Sequence, residues 1–153
     1  MTTQLLEREL VVPGSLEAVF AFFKDPHNLS ELTPRWLNFQ VRAASDPTVR
    51  NGTRIQYRIR WLGLPMRWES VIEEYVEGAH FADRMLVGPY ARWLHRHAFR
   101  AVPGGVLVAD RVEYALPLGW AGALAHRVMV RRQLEAIFDF RTAALARRFG
   151  VAP

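Results

Sequence analysis

The stretch Arg54-Ile55-Gln56-Tyr57-Arg58-Ile59-Arg60-Trp61, RIQYRIRW, alternates between polar and apolar residues along its whole length. In a β-strand residues i and i+2 share a face, so Ile55, Tyr57, Ile59 and Trp61 point to one side and the arginines to the other. A helix would scatter the same residues around its axis. The stretch therefore predicts a strand in an antiparallel sheet with one apolar face. Beyond the turn Gly63-Leu64-Pro65 the alternation resumes, with Trp68, Ser70 and Ile72 against Arg67, Glu69 and Glu73. Phe81–Val87 form the next run and Gly88-Pro89 a bend. A strand with Trp93, His95, His97 and Phe99 on one face follows. After the turn Pro103-Gly104-Gly105, Val106, Val108, Asp110, Val112 and Tyr114 share a face of the last strand. From Trp36 to Leu116 the period is two, hairpin after hairpin: a meander of six strands.

The flanks change period. Residues 4–12, QLLERELVV, alternate as a first strand that Pro13-Gly14 ends. Ser15 suits the N-cap of a helix over Leu16–Lys24, where Leu16, Val19, Phe20 and Phe23 recur at helical spacing. Asp25-Pro26 breaks it, and HNLSEL reads as a second short helix closed by Thr33-Pro34. Residues 120–149 form one long helix whose apolar stripe (Ala123, Val130, Leu134, Ile137, Phe138, Leu145, Phe149) is interrupted by Arg127 and Arg141. The order β-α-α-β(six)-α predicts an α+β fold: a curved antiparallel seven-stranded sheet wrapped around a long C-terminal helix, with two short helices after strand 1. Sheet and helix need not touch along their whole length. The space between them can hold a ligand.

At 153 residues the chain is read as a single domain, 1–153, half of whose residues are hydrophobic. With no cysteine there is neither a disulfide framework nor a thiolate metal site. The N-terminal MTTQLLERELVV shows no basic region followed by a long apolar run, and no run approaches membrane-spanning length, so a cytoplasmic location is expected. The net charge of +5 comes from arginine, with Lys24 the one lysine. Many arginines fall at alternate strand positions among Glu69, Glu73 and Glu113, where cross-strand ion pairs are expected. No nucleic-acid motif accompanies them, so no nucleic-acid partner is expected.

His95 and His97 raise the question of chemistry. The turn at Gly104-Gly105 brings Asp110 opposite His97 or one diagonal step away. Two histidines and a carboxylate suit an open metal site, a general base with its orienting carboxylate, or hydrogen-bonded polar lining in a cavity. Nothing else stands at ligand spacing, so lining without a metal is the expectation. Arg141 suits either a salt bridge to an internal carboxylate such as Asp83 or Asp110, or a counter-charge for an anionic ligand. For Arg127 a salt bridge or snorkelling to the helix edge is expected. The aromatics Tyr57, Trp61, Trp68, Trp93, Phe99 and Tyr114 exceed what a thin sheet-on-helix core needs, as in large apolar pockets.

The element order, with NL..LTP.WL.F (Asn28 to Phe39), G.P..W (Gly63 to Trp68), F.D....GPY..W.H.H.F (Phe81 to Phe99), D.V.Y..P.G (Asp110 to Gly119) and IF..R (Ile137 to Arg141), resembles the START-like helix-grip (SRPBCC) superfamily. That superfamily includes Bet v 1-like proteins, polyketide cyclases and dehydratases, and ubiquinone-binding START proteins. The chain is most similar to its small bacterial members, a form also found joined to sugar-epimerase-like domains. The resemblance implies a hydrophobic small-molecule cavity and no particular reaction.

The expected function is that of a carrier or sensor, without cofactor, for a lipid, quinone or polyketide-like molecule. Tyr57, Trp68, Trp93, His95, His97, Phe99, Asp110, Tyr114 and Arg141 are the candidate ligand contacts. Leu64, Tyr90 and Trp120 are the candidate portal. The alternative is a cyclase/dehydratase-like enzyme using His95 and His97, with Asp110, in acid–base chemistry. A third possibility, a module regulating a partner enzyme, follows from the fused relatives alone. At most transient membrane contact and a monomer or weak homodimer are expected.

Overall fold

The computed structural model describes residues 3–61, 63–117 and 124–151, the side chains of 124–126 excepted. The elements run β1 (Gln4–Val12), α1 (Leu16–Lys24), β2 (Gln40–Ala44), β3 (Arg54–Trp61), β4 (Leu64–Val76), β5 (His80–Val87), β6 (Arg92–Val102), β7 (Gly105–Ala115) and α2 (Leu124–Phe149). The strands form one antiparallel sheet in the order β1-β7-β6-β5-β4-β3-β2. Every neighbour but one is a hairpin partner. The exception is β1, which pairs with β7 from Gln4↔Tyr114 to Val12↔Val106. Gly105 makes that junction possible. Its φ is +150°, and a Cβ there would collide with the Val12 carbonyl oxygen.

The Ser15 side chain caps α1 by accepting from Ala18 N at 3.1 Å, and α1 buries Val19, Phe20, Phe22 and Phe23. The second short helix is a 3₁₀ helix, Pro26–Leu32, followed by another 3₁₀ turn at Arg35–Leu37 that the sequence reading omits. Pro26 starts it without a backbone donor, and Thr33 N closes it on Ser30 O, a three-residue span that holds the tight geometry.

The alternation of β3 holds throughout, with Ile55, Tyr57, Ile59 and Trp61 buried and the arginines outside. On the same face α2 presents Val130, Leu134, Phe138, Ala144 and Leu145 to the core. Its C-terminal end is anchored on α1 through Phe149 and Phe22, whose ring centroids are 5.3 Å apart. A fully buried side chain of this core, such as Leu134 or Phe20, contributes about 1.5–3 kcal/mol. Arg127 is exposed, so this arginine needs no buried partner.

The outer face carries the predicted ion pairs only in part. Arg54 meets Glu69, Arg84 meets Glu73, and Arg96 bridges Glu74 and Glu113. Arg58 instead stands directly opposite Arg67 in the β3–β4 register, and neither forms an ion pair among the described residues. No described helix is long and apolar enough to cross a membrane.

Candidate functional site

Between α2 and strands β3–β6 lies a cavity of about 140 Å³. Its walls are apolar: Tyr57, Ile59, Trp61, Trp68 and Trp93 from the sheet, and Leu134, Ile137 and Phe138 from the helix. Leu29, Leu32 and Leu37 of the 3₁₀ segments close one side, which gives those short turns a role in shaping the site. An aromatic cluster fixes the far wall. Tyr90 packs on Trp61, Trp68 and Trp93 at centroid distances of 5.8, 5.8 and 5.0 Å.

Five ionisable side chains converge on one flank. His97 pairs with Asp110 across β6–β7, and His95 pairs with Asp83 across β5–β6. Arg141 reaches down from α2. The guanidinium grips Asp110 with Nε on Oδ2 at 2.9 Å and Nη2 on Oδ1 at 3.0 Å. His95 Nε2 lies 2.8 Å from the same Oδ1, and His97 Nε2 lies 2.7 Å from Asp83 Oδ2. His97 Nδ1 is 3.3 Å from Arg141 Nη2 and 3.5 Å from Asp110 Oδ1. The two ring centroids are 3.8 Å apart, with the ring planes tilted by 31°. Nδ1 of His95 forms no hydrogen bond among the described residues. Its nearest charged atom is Asp83 Oδ2 at 3.7 Å.

The charges follow from this geometry. Burial pushes the Asp110 carboxyl up, but the Arg141 charge and both histidine contacts outweigh it and hold the carboxyl well below its ordinary range. Asp83 is lowered in the same way: burial opposes ionisation, and the contact with His97 prevails. The histidines part. Burial and the neighbouring ring lower His95, whereas for His97 burial is outweighed by contacts with Asp110 and Asp83, and its pKa rises. With both rings neutral the cluster holds two carboxylates against one guanidinium, a net charge of −1.

Of the residues expected to touch a ligand, Tyr57, Trp68, Trp93, His95, His97 and Arg141 line the cavity. Three do not. Phe99 is turned into the core against Phe20 and Phe23, Tyr114 packs behind Tyr90, and Asp110 lies behind the histidines. Of the portal residues, Leu64 is 64% exposed at the hairpin tip, and Tyr90 is buried in the aromatic wall rather than on a rim. Trp120 lies outside the described residues. The sequence reading names Asp83 only as a possible ion-pair partner. The available signal was a carboxylate on the inward face of Phe81–Val87, but the bend at Gly88-Pro89 hides its register with His95. Gln133 was also missed: it lines the cavity from α2, and its Oε1 is buried with no hydrogen-bond partner among the described residues.

Comparison with known proteins places this architecture. Residues 3–150 match the family described as polyketide cyclase/dehydrase and lipid transport. The chain belongs to that family. Solved structures share the fold at low identity. The Zhui aromatase/cyclase of a Streptomyces species superposes with a TM-score of 0.73 at 12% identity, covering 94% of this chain and 92% of that one. The di-domain aromatase/cyclase StfQ of the steffimycin biosynthetic pathway gives 0.70 at 16% identity over 97% of this chain; the match spans 51% of StfQ, about half its length. Major latex-like protein 151 of Panax ginseng gives 0.66 at 12% identity, covering 96% and 97% of the two chains. The START-like, Bet v 1-like helix-grip architecture anticipated from sequence is thus the fold of this protein. No curated protein matches the sequence.

Proposed function

We propose that the protein encloses one small, flat, hydrophobic molecule between sheet and helix, as a carrier or sensor, and holds the molecule's polar end on the buried cluster. One observation carries this reading: an aromatic-walled cavity with its ionisable groups converging on one flank, the usual build of a small-molecule site. Its volume sets the class of ligand. A cavity of roughly 150 Å³ takes a single benzene-sized ring. A quinone head or a phenolic ring fits, while a polyisoprenoid or polyketide tail has to leave through the mouth. Arg141 and His97 suit an anionic or carbonyl oxygen, and Gln133 Oε1 suits a donor on the opposite edge. Trp61, Trp68 and Trp93 line the cavity and report occupancy directly. Titration with 4-ethylphenol should quench tryptophan fluorescence with one saturable site, more tightly than with ethylbenzene. Ile137→Phe, which fills the cavity from the helix side, should abolish the quench. Absence of a saturable change with either probe would sink the proposal.

The geometry of His95 favours a second reading, acid–base chemistry on the bound molecule as in a cyclase or dehydratase. Asp110 fixes its ring through Nε2, which leaves Nδ1 as a base for a proton beside a ligand carbonyl. Turnover of β-dicarbonyl substrates that is lost in His95→Gln, with phenol binding kept, would promote this reading over the carrier.

A further inference from the structure

We infer that Asp83, His95 and His97 form a site for a divalent first-row transition metal ion, such as iron(II), cobalt(II) or zinc, at the floor of the cavity. One ligand atom from each of the three residues lies within 4.8 Å of the others. Asp83 Oδ2 is 2.7 Å from His97 Nε2 and 3.7 Å from His95 Nδ1. Ligands bonded to one ion at about 2.0–2.2 Å stand about 3–3.6 Å apart in tetrahedral or octahedral arrangement. Both distances from Asp83 Oδ2 lie within a few tenths of an ångström of that spacing.

What lies behind the ligands is the stronger argument. A metal-bound histidine typically donates its other ring N–H to a carboxylate, which fixes the tautomer and aims the lone pair. Here Asp110 Oδ1, 2.8 Å from His95 Nε2, fits that pattern for one ring, while His97 Nδ1 lies 3.3 Å from Arg141 Nη2 and 3.5 Å from the same Asp110 oxygen. Arg141 in turn clamps Asp110 with two contacts. The three ligands line the cavity and Asp110 does not, so the division into inner ligands and outer support follows the cavity wall. All four of these residues other than Arg141 sit on paired strands, the rigid placement a metal site needs. The donor set, two imidazoles and one carboxylate with positions open toward the cavity, suits iron(II) or zinc rather than calcium or magnesium.

Charge agrees. With both rings neutral, as ligation requires, a divalent ion takes the cluster from −1 to +1, which an anionic ligand oxygen or a hydroxide then balances. The ion would also take the His95 lone pair, so polarisation of a ligand oxygen would replace proton transfer by that ring. This inference stands whether or not a hydrophobic molecule binds.

The test uses the full chain, stripped with chelator and titrated with cobalt(II) by visible absorption and with zinc by calorimetry. One equivalent should bind, and X-ray absorption of the wild-type zinc complex should show two imidazoles and no sulfur. Asp83→Asn and His95→Gln should each abolish stoichiometric binding. Asp110→Asn should weaken it roughly 10- to 100-fold. Changing His27, His80 and His126 together to Gln should leave it intact. No binding at millimolar metal, loss in that triple variant, or a zinc spectrum with fewer than two imidazoles would overturn the inference. The spectrum decides the matter even where Asp83→Asn fails to fold.

Discussion

Replacing Arg141 by Met in the metal-free protein should cost about 3 kcal/mol of stability at neutral pH. Arg141 is 6% exposed, and its guanidinium makes its two shortest contacts to one carboxylate. Removing one partner of a buried ion pair typically costs about 3–5 kcal/mol, because the other charge is left uncompensated. The guanidinium also lies 5.1 Å from the Phe23 ring and 6.0 Å from that of Phe138, a contribution of about 0.5–2 kcal/mol that Met recovers in part by packing. Against these losses, Asp110 keeps His95 and can draw a proton onto His97, and a charged hydrogen bond contributes about 1.5–3 kcal/mol. For a domain of this size the net loss lowers the melting temperature by roughly 6–12 °C. Urea denaturation followed by tryptophan fluorescence gives the value. The double variant Asp110→Leu with Arg141→Met, which removes both charges, should regain part of the loss. A single-variant loss under about 1 kcal/mol would show that Asp110 is not a buried charge, and the electrostatic account of the cluster would fail with it.

Other substitutions probe separate joints of the structure. His97→Phe leaves Asp83 without its nearest partner and should lower stability by about 1–3 kcal/mol; a variant as stable as wild type would make the ring mere lining. Gly105→Ala forces a side chain against the Val12 carbonyl at a strained φ, so a loss of at least about 1–3 kcal/mol is expected, with amide exchange accelerated in β1. Leu64→Ser at the exposed hairpin tip should change stability by no more than about 0.5 kcal/mol while altering the rate of 4-ethylphenol uptake, and an unchanged rate would remove Leu64 from any portal. Asp110 gives the pH dependence its sign: a carboxyl held below its ordinary range stabilises the fold above that range, and the contribution is lost as pH falls through the depressed value. Asp110→Asn should therefore flatten the acid limb of the stability profile, read by denaturant midpoints from neutral to strongly acidic pH.

The fold was legible because its signals are local. RIQYRIRW shows its two faces in eight residues, and Ser15 with the Phe-rich run after it shows both the start and the buried side of α1. The site was legible only where contacts follow from a tight turn: Gly104-Gly105 sets the β6–β7 register and so delivers Asp110 to His97. Asp83 depends on the β5–β6 register, which a bend of unknown length obscures. Phe99, Tyr114 and Asp110 share the inward face of their strands with true lining residues, yet α1 and neighbouring rings cover them first. Period-two patterning assigns a face; it does not say which inward residues meet empty space. Arg141 shows the same limit. The helical stripe marks it as buried, but its partner is set by how far α2 stands from the sheet.

The proposed binding mode sets a small hydrophobic ring between sheet and α2 with its polar end on the His–Asp–Arg cluster. Nuclear Overhauser contacts in the protein–4-ethylphenol complex, read at isotope-labelled methyl groups, test it most directly. Contacts are expected from the ring to Leu37, Ile59 and Ile137, with the hydroxyl end nearest the His95 ring. Contacts confined to the exposed Leu64, Val128 and Met129, or none at saturating probe, would contradict it.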